Sequence, residues 1–191
     1  MVALTALVAP SVAQLSLWRE ATHMVDVGGG YGQLALTVLR AHEGLHATIV
    51  DLIHARAGAQ AKIEHEGLGA RCTFVAGSFF EAWPAGADVY LLKSILHNWD
   101  DEHCARILAN CRRAAGSCAR LLLIERIRPD CMELNPEAES VFRADLNMLV
   151  GLGGRERTFG EYGEMLAAQG FSLIGRHQTA FEFAVLEARA V

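Results

Sequence analysis

With 191 residues, the chain is long enough for one domain with a substantial buried core. Its formal net charge is −5 and its Lys and Arg residues cluster at most in pairs. These features exclude the basic surface by which proteins bind nucleic acid, so we expect no nucleic-acid partner. Hydrophobic residues make up 52% of the sequence and aromatic residues only 7%, a balance typical of α/β domains rich in Ala, Leu and Val.

The first 18 residues are apolar and contain neither Lys nor Arg. A signal peptide would begin with a basic segment, and a membrane span would be longer and free of Pro10 and Gln14. We therefore expect a helix over residues 1–20 that covers part of the domain, and no membrane partner.

Beyond this helix, short apolar runs alternate with helical patterns. Strands are predicted at residues 22–26, 47–51, 72–76, 88–93 and 121–125, and helices at 31–41, 53–66, 101–115, 137–150 and 160–169. Two late runs, at 171–176 and 180–188, are expected to form an antiparallel pair. Short strands separated by helices predict a parallel sheet covered on both faces, with the loops after the strands along one ligand-binding edge. Residues 21–191 are thus expected to form one α/β domain.

A glycine-rich loop follows the first predicted strand. Its pattern, D-x-G-x-G-x-G, consists of Asp26, Gly28, Gly30 and Gly32. Glycines let the backbone approach a ligand closely. The dinucleotide fingerprint G-x-G-x-x-G would need a glycine where Gln33 stands, so that pattern fails. The other use of such a loop is to hold the amino-acid and ribose parts of S-adenosylmethionine (SAM), and a strand–helix turn without any ligand stays an alternative.

Asp51 ends the second predicted strand, where a carboxylate can accept hydrogen bonds from both hydroxyls of a ribose. The alternative is that Asp51 caps the following helix. Together with the glycine loop, Asp51 indicates an adenosyl cofactor without deciding between SAM and NAD.

A lone histidine follows the fourth predicted strand, in the sequence LLKSILHNWDDEHC. We expect His97 to be exposed at the ligand-binding edge of the sheet, where an imidazole can act as an acid or base on a small molecule. The alternative is a surface residue that caps the following helix.

The helix predicted at 101–115 contains the first two of three regularly spaced cysteines. Cys104, Cys111 and Cys118 recur every seven residues, which fits one helix face and not the short loops of zinc sites. We expect buried thiols there and no bound metal. An odd number of cysteines without a Cys-x-x-Cys pair favours free thiols in a reducing, cytoplasmic setting.

Six segments resemble, in order and spacing, the SAM-dependent O-methyltransferases that act on small molecules, a family with plant-type caffeate and flavonoid enzymes and bacterial hydroxyneurosporene and polyketide enzymes. These segments are VDVGGGYG, IVDL, AGSFF, LLKSILHNWDDEHC, LLLIERI and GGRERT. The resemblance covers nearly the whole chain. It implies a Rossmann-like class I methyltransferase fold, with a seven-stranded, mostly parallel sheet, an antiparallel final strand and helices on both faces.

The same resemblance implies that the chain is the family's C-terminal catalytic domain, and that its first helix is the segment that joins two domains. Family members also carry an N-terminal helical domain that dimerises and closes the acceptor pocket, and we expect this chain to lack it. A homodimer stays possible without it.

The resemblance also implies roles for single residues. His97 matches the general base, and Glu125 and Glu156 match the acids that bracket it. Met148 and Asn98 are implied to line the acceptor pocket. The residues implied to bind SAM are Gly28, Gly30, Asp51, Leu52, Ser78, Phe79 and Lys93. Some residues depart from the family pattern, which often has Asp at the positions of Ser78 and Asn98, and Trp at that of Ser94.

The residue types suit methyl transfer to a phenolic hydroxyl. A phenol and an imidazole differ by roughly 3.5 in pKa, about 5 kcal/mol, which is tolerable for a phenol when proton loss and methyl attack are coupled. The N-terminus of the next helix disfavours a charged His97, while Glu125 and Glu156 would favour it, unless both are merely solvated surface charges. Two other functions stay open: a SAM-binding module without independent catalysis, and an NAD-dependent oxidoreductase.

Overall fold

The computed structural model describes residues 2–131, 135–179 and 182–191. Its strands are β1 His23–Val27, β2 His46–Asp51, β3 Cys72–Ala76, β4 Val89–Lys93, β5 Arg120–Arg126, β6 Phe171–Gln178 and β7 Phe183–Ala190. Its α-helices are α1 Val2–Ala13, α2 Gln33–Ala41, α3 Arg56–His65, α4 Asp101–Ala114, α5 Pro136–Leu152 and α6 Phe159–Ala168. Short 3-10 turns lie at Ser16–Trp18, Ile53–Ala55 and Leu96–Asn98.

The strands form one seven-stranded sheet in the order β3-β2-β1-β4-β5-β7-β6. The first five strands are parallel, and β7 runs antiparallel between β5 and β6. The predicted seven-stranded, mostly parallel sheet is therefore confirmed. The strand order reverses between β1 and β4, and ligands of such sheets bind in the crevice at the carboxyl ends of the strands at this point.

The central strands are buried on both faces, as their continuous apolar sequences require. In β4, Tyr90 and Leu92 face a hydrophobic cluster with α4 and α6, while Val89 and Leu91 face a second cluster with α1, α2 and α3. Strand β5 alternates in the same way. Each fully buried Leu stabilises the fold by roughly 1.5–3 kcal/mol, so these two strands fix the position of the loops that follow them.

The N-terminal helix α1 packs on α2, with Val8, Ala9 and Val12 buried. It ends at Ala13, well before residue 20, and a separate 3-10 turn follows. The indole Nε1 of Trp18 donates a hydrogen bond back to the Val12 carbonyl at 2.9 Å and so fixes this turn. No helix among the described residues has the length and apolar character needed to cross a membrane.

The prediction that Cys118 is buried is wrong. Cys104 and Cys111 lie on the buried face of α4, but the helix ends at Ala114 and Ala115 is already extended. Cys118 therefore lies beyond the helix and is exposed. A spacing of seven residues places side chains on one face only while the helix continues.

Candidate active site

The glycine loop between β1 and α2 has the conformation that its sequence predicts. Gly28 and Gly30 have φ values of +72° and +58°, in the left-handed region that favours glycine. Gly29 is needed for a different reason, which the sequence pattern does not reveal. A Cβ on Gly29 would lie 2.7 Å from Cγ of Asp26, because that side chain packs directly beneath the loop.

Asp51 connects the end of β2 to this loop. Its Oδ2 accepts a hydrogen bond from the Gly30 amide and its Oδ1 accepts one from the Leu52 amide, both at 2.7 Å. The 3-10 turn that follows has no side-chain cap, so the alternative that Asp51 caps a helix is wrong. Each carboxylate oxygen keeps a further lone pair that can accept a hydroxyl.

A cavity of about 250 Å³ lies beside Asp51. It brings together most of the residues predicted to bind the cofactor, namely Gly28, Asp51, Leu52, Ser78 and Phe79. Phe80 and Trp99 also line it, and their rings meet edge to face at 4.9 Å. Sequence reasoning missed these two aromatic residues, although both come directly after predicted site residues. The cavity thus has an apolar wall and a carboxylate at one end, as an adenosyl group requires.

A second cavity, of about 120 Å³, is also lined by the glycine loop and includes Asp26, Gly30 and Lys93. Gly28 lines both cavities, so they are adjacent at the point where the strand order reverses. Lys93 is buried, and its Nζ donates to Oγ of Ser94 at 3.0 Å. Burial lowers the pKa of Lys93, although the charges of nearby carboxylates oppose this change.

Asp26 is the second residue of this cavity that can ionise. It is 2% exposed, and its Oδ2 has no hydrogen-bond partner among the described residues. Burial raises the pKa of Asp26 to about 7, and the charge of Asp51 acts in the same direction. The Ala35 backbone and the charge of Lys93 partly offset the rise. Asp26 is therefore neutral or partly ionised near neutral pH.

His97 lies in the 3-10 turn after β4. The expectation that His97 is exposed is wrong, because the residue is buried and only 5% exposed to solvent. Its Nδ1 lies 3.1 Å from Oε1 of Glu156 and 3.9 Å from Oε2 of Glu125. Both glutamates are fully buried, so the alternatives that they are solvated charges are also wrong. The helix cap is Asp100 and not His97.

The two glutamates hold the histidine in different ways. Oε1 of Glu125 accepts the backbone amides of Ile95 and Leu96, both at 3.0 Å, and so fixes the start of the turn. Glu156 contacts the ring itself, and its own amide donates to Oδ1 of Asp145 on α5 at 2.8 Å. Because both carboxylates lie on the Nδ1 side, Nε2 is the ring nitrogen that is left to exchange a proton with a ligand.

The acids decide the protonation of His97. Burial alone would lower its pKa, but the charge of Glu125 and the hydrogen bond and charge of Glu156 outweigh burial, so the pKa of His97 is raised. The same three residues place atoms of metal-ligand type within 4.8 Å of one another. One oxygen of Glu125 is already occupied by backbone amides, and the His97–Glu156 distance is that of a hydrogen bond, so the set suits a histidine base better than a metal ion.

Of the two residues predicted to line the acceptor pocket, Asn98 lies in this turn and Met148 lies on helix α5. Met148 is half-buried on α5, which packs against the turn. Nδ2 of Asn98 donates to the Ser94 carbonyl at 3.0 Å, so this side chain closes the turn and keeps its Oδ1 and its second N–H for an acceptor. Ser94 has a φ of +53°, an uncommon value for a residue with a side chain and one that is frequent at functional sites.

Comparison with known proteins gives one consistent family. A family model described as an O-methyltransferase domain matches residues 2–172. The chain is 38% identical over 171 residues to a phenazine O-methyltransferase of Lysobacter antibioticus, covering 88% of this chain and 48% of that protein. It is 38% identical over 164 residues to a 2,7-dihydroxy-5-methyl-1-naphthoate 7-O-methyltransferase of Streptomyces carzinostaticus, covering 86% of this chain and 47% of that protein.

Among solved structures, an O-methyltransferase from neocarzinostatin biosynthesis aligns with a TM-score of 0.88 at 35% identity. That crystal structure contains SAM and 2-hydroxy-5-methyl naphthoic acid, and the alignment covers 100% of this chain and 56% of the other. The chain therefore spans about half the length of the relatives that it matches.

Proposed function

Because this chain belongs to the O-methyltransferase domain family, we propose that it transfers a methyl group from SAM to a phenolic hydroxyl of a small aromatic metabolite, with His97 as the general base. The observation that carries the proposal is the position of His97, at the end of β4 beside the glycine loop, with Nδ1 between two buried carboxylates. The named acceptors of the relatives, naphthoates and a phenazine, support an aromatic substrate.

The two adjacent cavities are lined by residue types that suit SAM. Asp51 would accept the ribose hydroxyls, and Leu52, Ser78 and Phe79 would surround the adenine. Gly28 and Gly30 would contact the methionine part, and Lys93 would lie beside it. Gln33 and the family membership leave no support for the NAD alternative. When bound, SAM supplies a methyl group on a positively charged sulfur, which leaves as S-adenosylhomocysteine after the carbon–sulfur bond breaks.

In this proposal, His97 accepts the proton of the acceptor hydroxyl, and two glutamates stabilise the charge that results. The hydroxyl of the acceptor would give its proton to Nε2 of His97 as it reacts, and the ring would become an imidazolium. Glu125 and Glu156 stabilise that charge, while Glu156 also fixes the ring orientation through Nδ1. Since the pKa of His97 is raised, the base is free only at higher pH, and we expect kcat to increase with pH until His97 is deprotonated.

The test is His97→Ala, with His54→Ala at an exposed position as the matched control. Methyl transfer is followed by mass spectrometry on a panel of phenols, and SAM binding by calorimetry. We expect His97→Ala to lose roughly 100- to 10,000-fold in turnover and to keep its SAM affinity. Undiminished methylation would remove His97 as the base. SAM binding by the unaltered chain without any turnover would instead support the alternative of a binding module without independent catalysis.

A further inference from the structure

Arg157 is a fully buried arginine for which the reaction described above has no use. It is 0% exposed. Its Nη1 donates to the Leu96 carbonyl at 3.0 Å, and its Nη2 donates to the Trp99 carbonyl at 2.8 Å. These two carbonyls lie on either side of His97 in the sequence. A single guanidinium therefore joins the two ends of the turn that carries the base.

The charge of Arg157 is compensated at the far end of the same guanidinium. Oδ1 of Asp101 accepts from Nη2 at 2.8 Å and from Nε at 3.2 Å. Asp101 lies in the first turn of α4, and its side chain is 63% exposed. Arg155 also binds Asp101, at 3.0 Å, but its other partner is Glu161 and not the turn. Only a planar group with several donors in fixed directions can satisfy all of these acceptors at once.

Two further contacts tie the strand segment around Arg157 to His97. A Cβ on Gly154 would lie 2.1 Å from the His97 carbonyl oxygen, so the backbones touch there. Glu156, the next residue but one, binds Nδ1 of His97. The segment is also anchored to the end of β5, since the Arg128 amide donates to the Arg157 carbonyl at 3.0 Å. Strand β5 carries Glu125, so Arg157 joins the turn to the segments of both acids.

We propose that Arg157 is a positioning residue of the active site: it holds the His97 turn at the distance from Glu125 and Glu156 at which the imidazole serves as the base. This inference rests on the proposed function, in which His97 accepts the proton of the hydroxyl. Arg157 does not touch a ligand and acts only through the geometry of the turn.

The test compares Arg157→Lys with Arg155→Lys. Both variants keep the charge next to Asp101, but only the first loses the fork that reaches the two carbonyls. A displacement of about 1 Å at a reacting group can cost roughly 100-fold in rate, so we expect kcat of Arg157→Lys to fall by about 10- to 100-fold. The KM for SAM should change much less than kcat, by at most a few-fold, since Arg157 contacts the cofactor cavity through the backbone carbonyl of Trp99 and not through a side chain that would bind SAM. Arg155→Lys should keep the kcat of the unaltered protein.

The pH dependence separates positioning from a general loss of structure. Glu125 and Glu156 raise the pKa of His97 only while they remain close to it. In Arg157→Lys the turn moves away from them, so the pKa of His97, followed by NMR of the imidazole and by the pH profile of kcat, should fall. It should not change in Arg155→Lys. An unchanged pH profile and an unchanged kcat in Arg157→Lys would overturn the proposal. It would also be overturned if the melting temperature and the SAM affinity fell together with kcat, because a general loss of structure would then explain the slower reaction.

Two features keep the test decisive. If Arg157→Lys does not fold, Asp101→Asn replaces it, because this change at an exposed side chain weakens the ion pairs of Asp101 with Arg157 and Arg155 and leaves the guanidinium of Arg157 in place. It should lower kcat and the pKa of His97 in the same direction but by less, and an unaltered pKa would overturn the proposal. If the unaltered chain shows no methyl transfer, the proposed function fails, yet the NMR titration still tells whether Arg157 sets the environment of His97.

Discussion

Asp26 gives the sharpest test of the electrostatics beneath the glycine loop. Its carboxyl is buried, with one oxygen unpaired among the described residues, and burial raises its pKa from 3.8 to about 7. Between these two pH values the native state holds a proton that the unfolded state has lost. The free energy of unfolding therefore decreases as the pH rises from about 4 to 7, and the loss is complete above the native pKa.

The magnitude follows from the two pKa values. Each tenfold change in an acid dissociation constant corresponds to about 1.4 kcal/mol, so Asp26 destabilises the native state by about 4 kcal/mol above pH 8. Between pH 5 and pH 8 its contribution changes by about 2.5 kcal/mol. The variant Asp26→Asn has nearly the same shape and does not titrate. Relative to the unaltered protein, it should gain about 2.5 kcal/mol over this pH range.

The assay is urea unfolding of both proteins at pH 5, 6, 7 and 8 without ligand, with Asp130→Asn at an exposed position as the control. Comparing the difference between variant and unaltered protein at each pH removes the titration of all other groups. Asp130→Asn should give a constant difference. A constant difference for Asp26→Asn as well would refute the reasoning, because Asp26 would then have the same pKa in the native and unfolded states.

Three other predictions concern buried and exposed groups. The hydroxyl of Tyr162 is buried without a partner among the described residues, so Tyr162→Phe should raise the free energy of unfolding by about 1 kcal/mol, and a lower melting temperature would contradict this. Asp51→Asn should weaken SAM binding roughly 10- to 100-fold in calorimetry through lost charge-assisted hydrogen bonds, and an unchanged affinity would exclude Asp51 as the ribose ligand. Cys118 and Cys131 are exposed while the other three cysteines are buried, so a thiol reagent should titrate two groups in the native protein, and a third fast group would be inconsistent with the fold.

The fold was predictable from the sequence because buried strands are recognised by the apolar residues that follow one another along a short segment. The parallel strands are short and mainly apolar, and the predicted bounds of β3, Cys72–Ala76, are the observed ones. The loop and Asp51 were predictable for a related reason, since glycine spacing and a strand-end carboxylate are also local features. These signals need only a few neighbouring residues.

The surroundings of His97 could not be predicted in this way. Its burial depends on Glu125 and Glu156, which approach it from segments 28 and 59 residues away. The role of Arg157 depends on a contact with Leu96 across 61 residues of sequence. The wrong prediction for Cys118 has the opposite origin. A spacing of seven residues predicts a shared face only within a helix, and this helix ends at Ala114, before Cys118. Local patterns predict elements, while the partners of a buried side chain depend on how the elements pack.

The bridge between Ile127 and Arg157 has a consequence for how catalytic competence arises during folding. The proposed base, His97, lies on one strand connection, Glu125 lies on the next strand, and Glu156 follows helix α5. None of them can meet until β4 and β5 have paired and the later segment has attached to the end of β5. Contacts this distant in sequence form late, because the chain must first close long loops. If the chain has the proposed activity, methyl transfer would therefore appear during refolding only when the tertiary fold is complete, and it would serve as a reporter of that step.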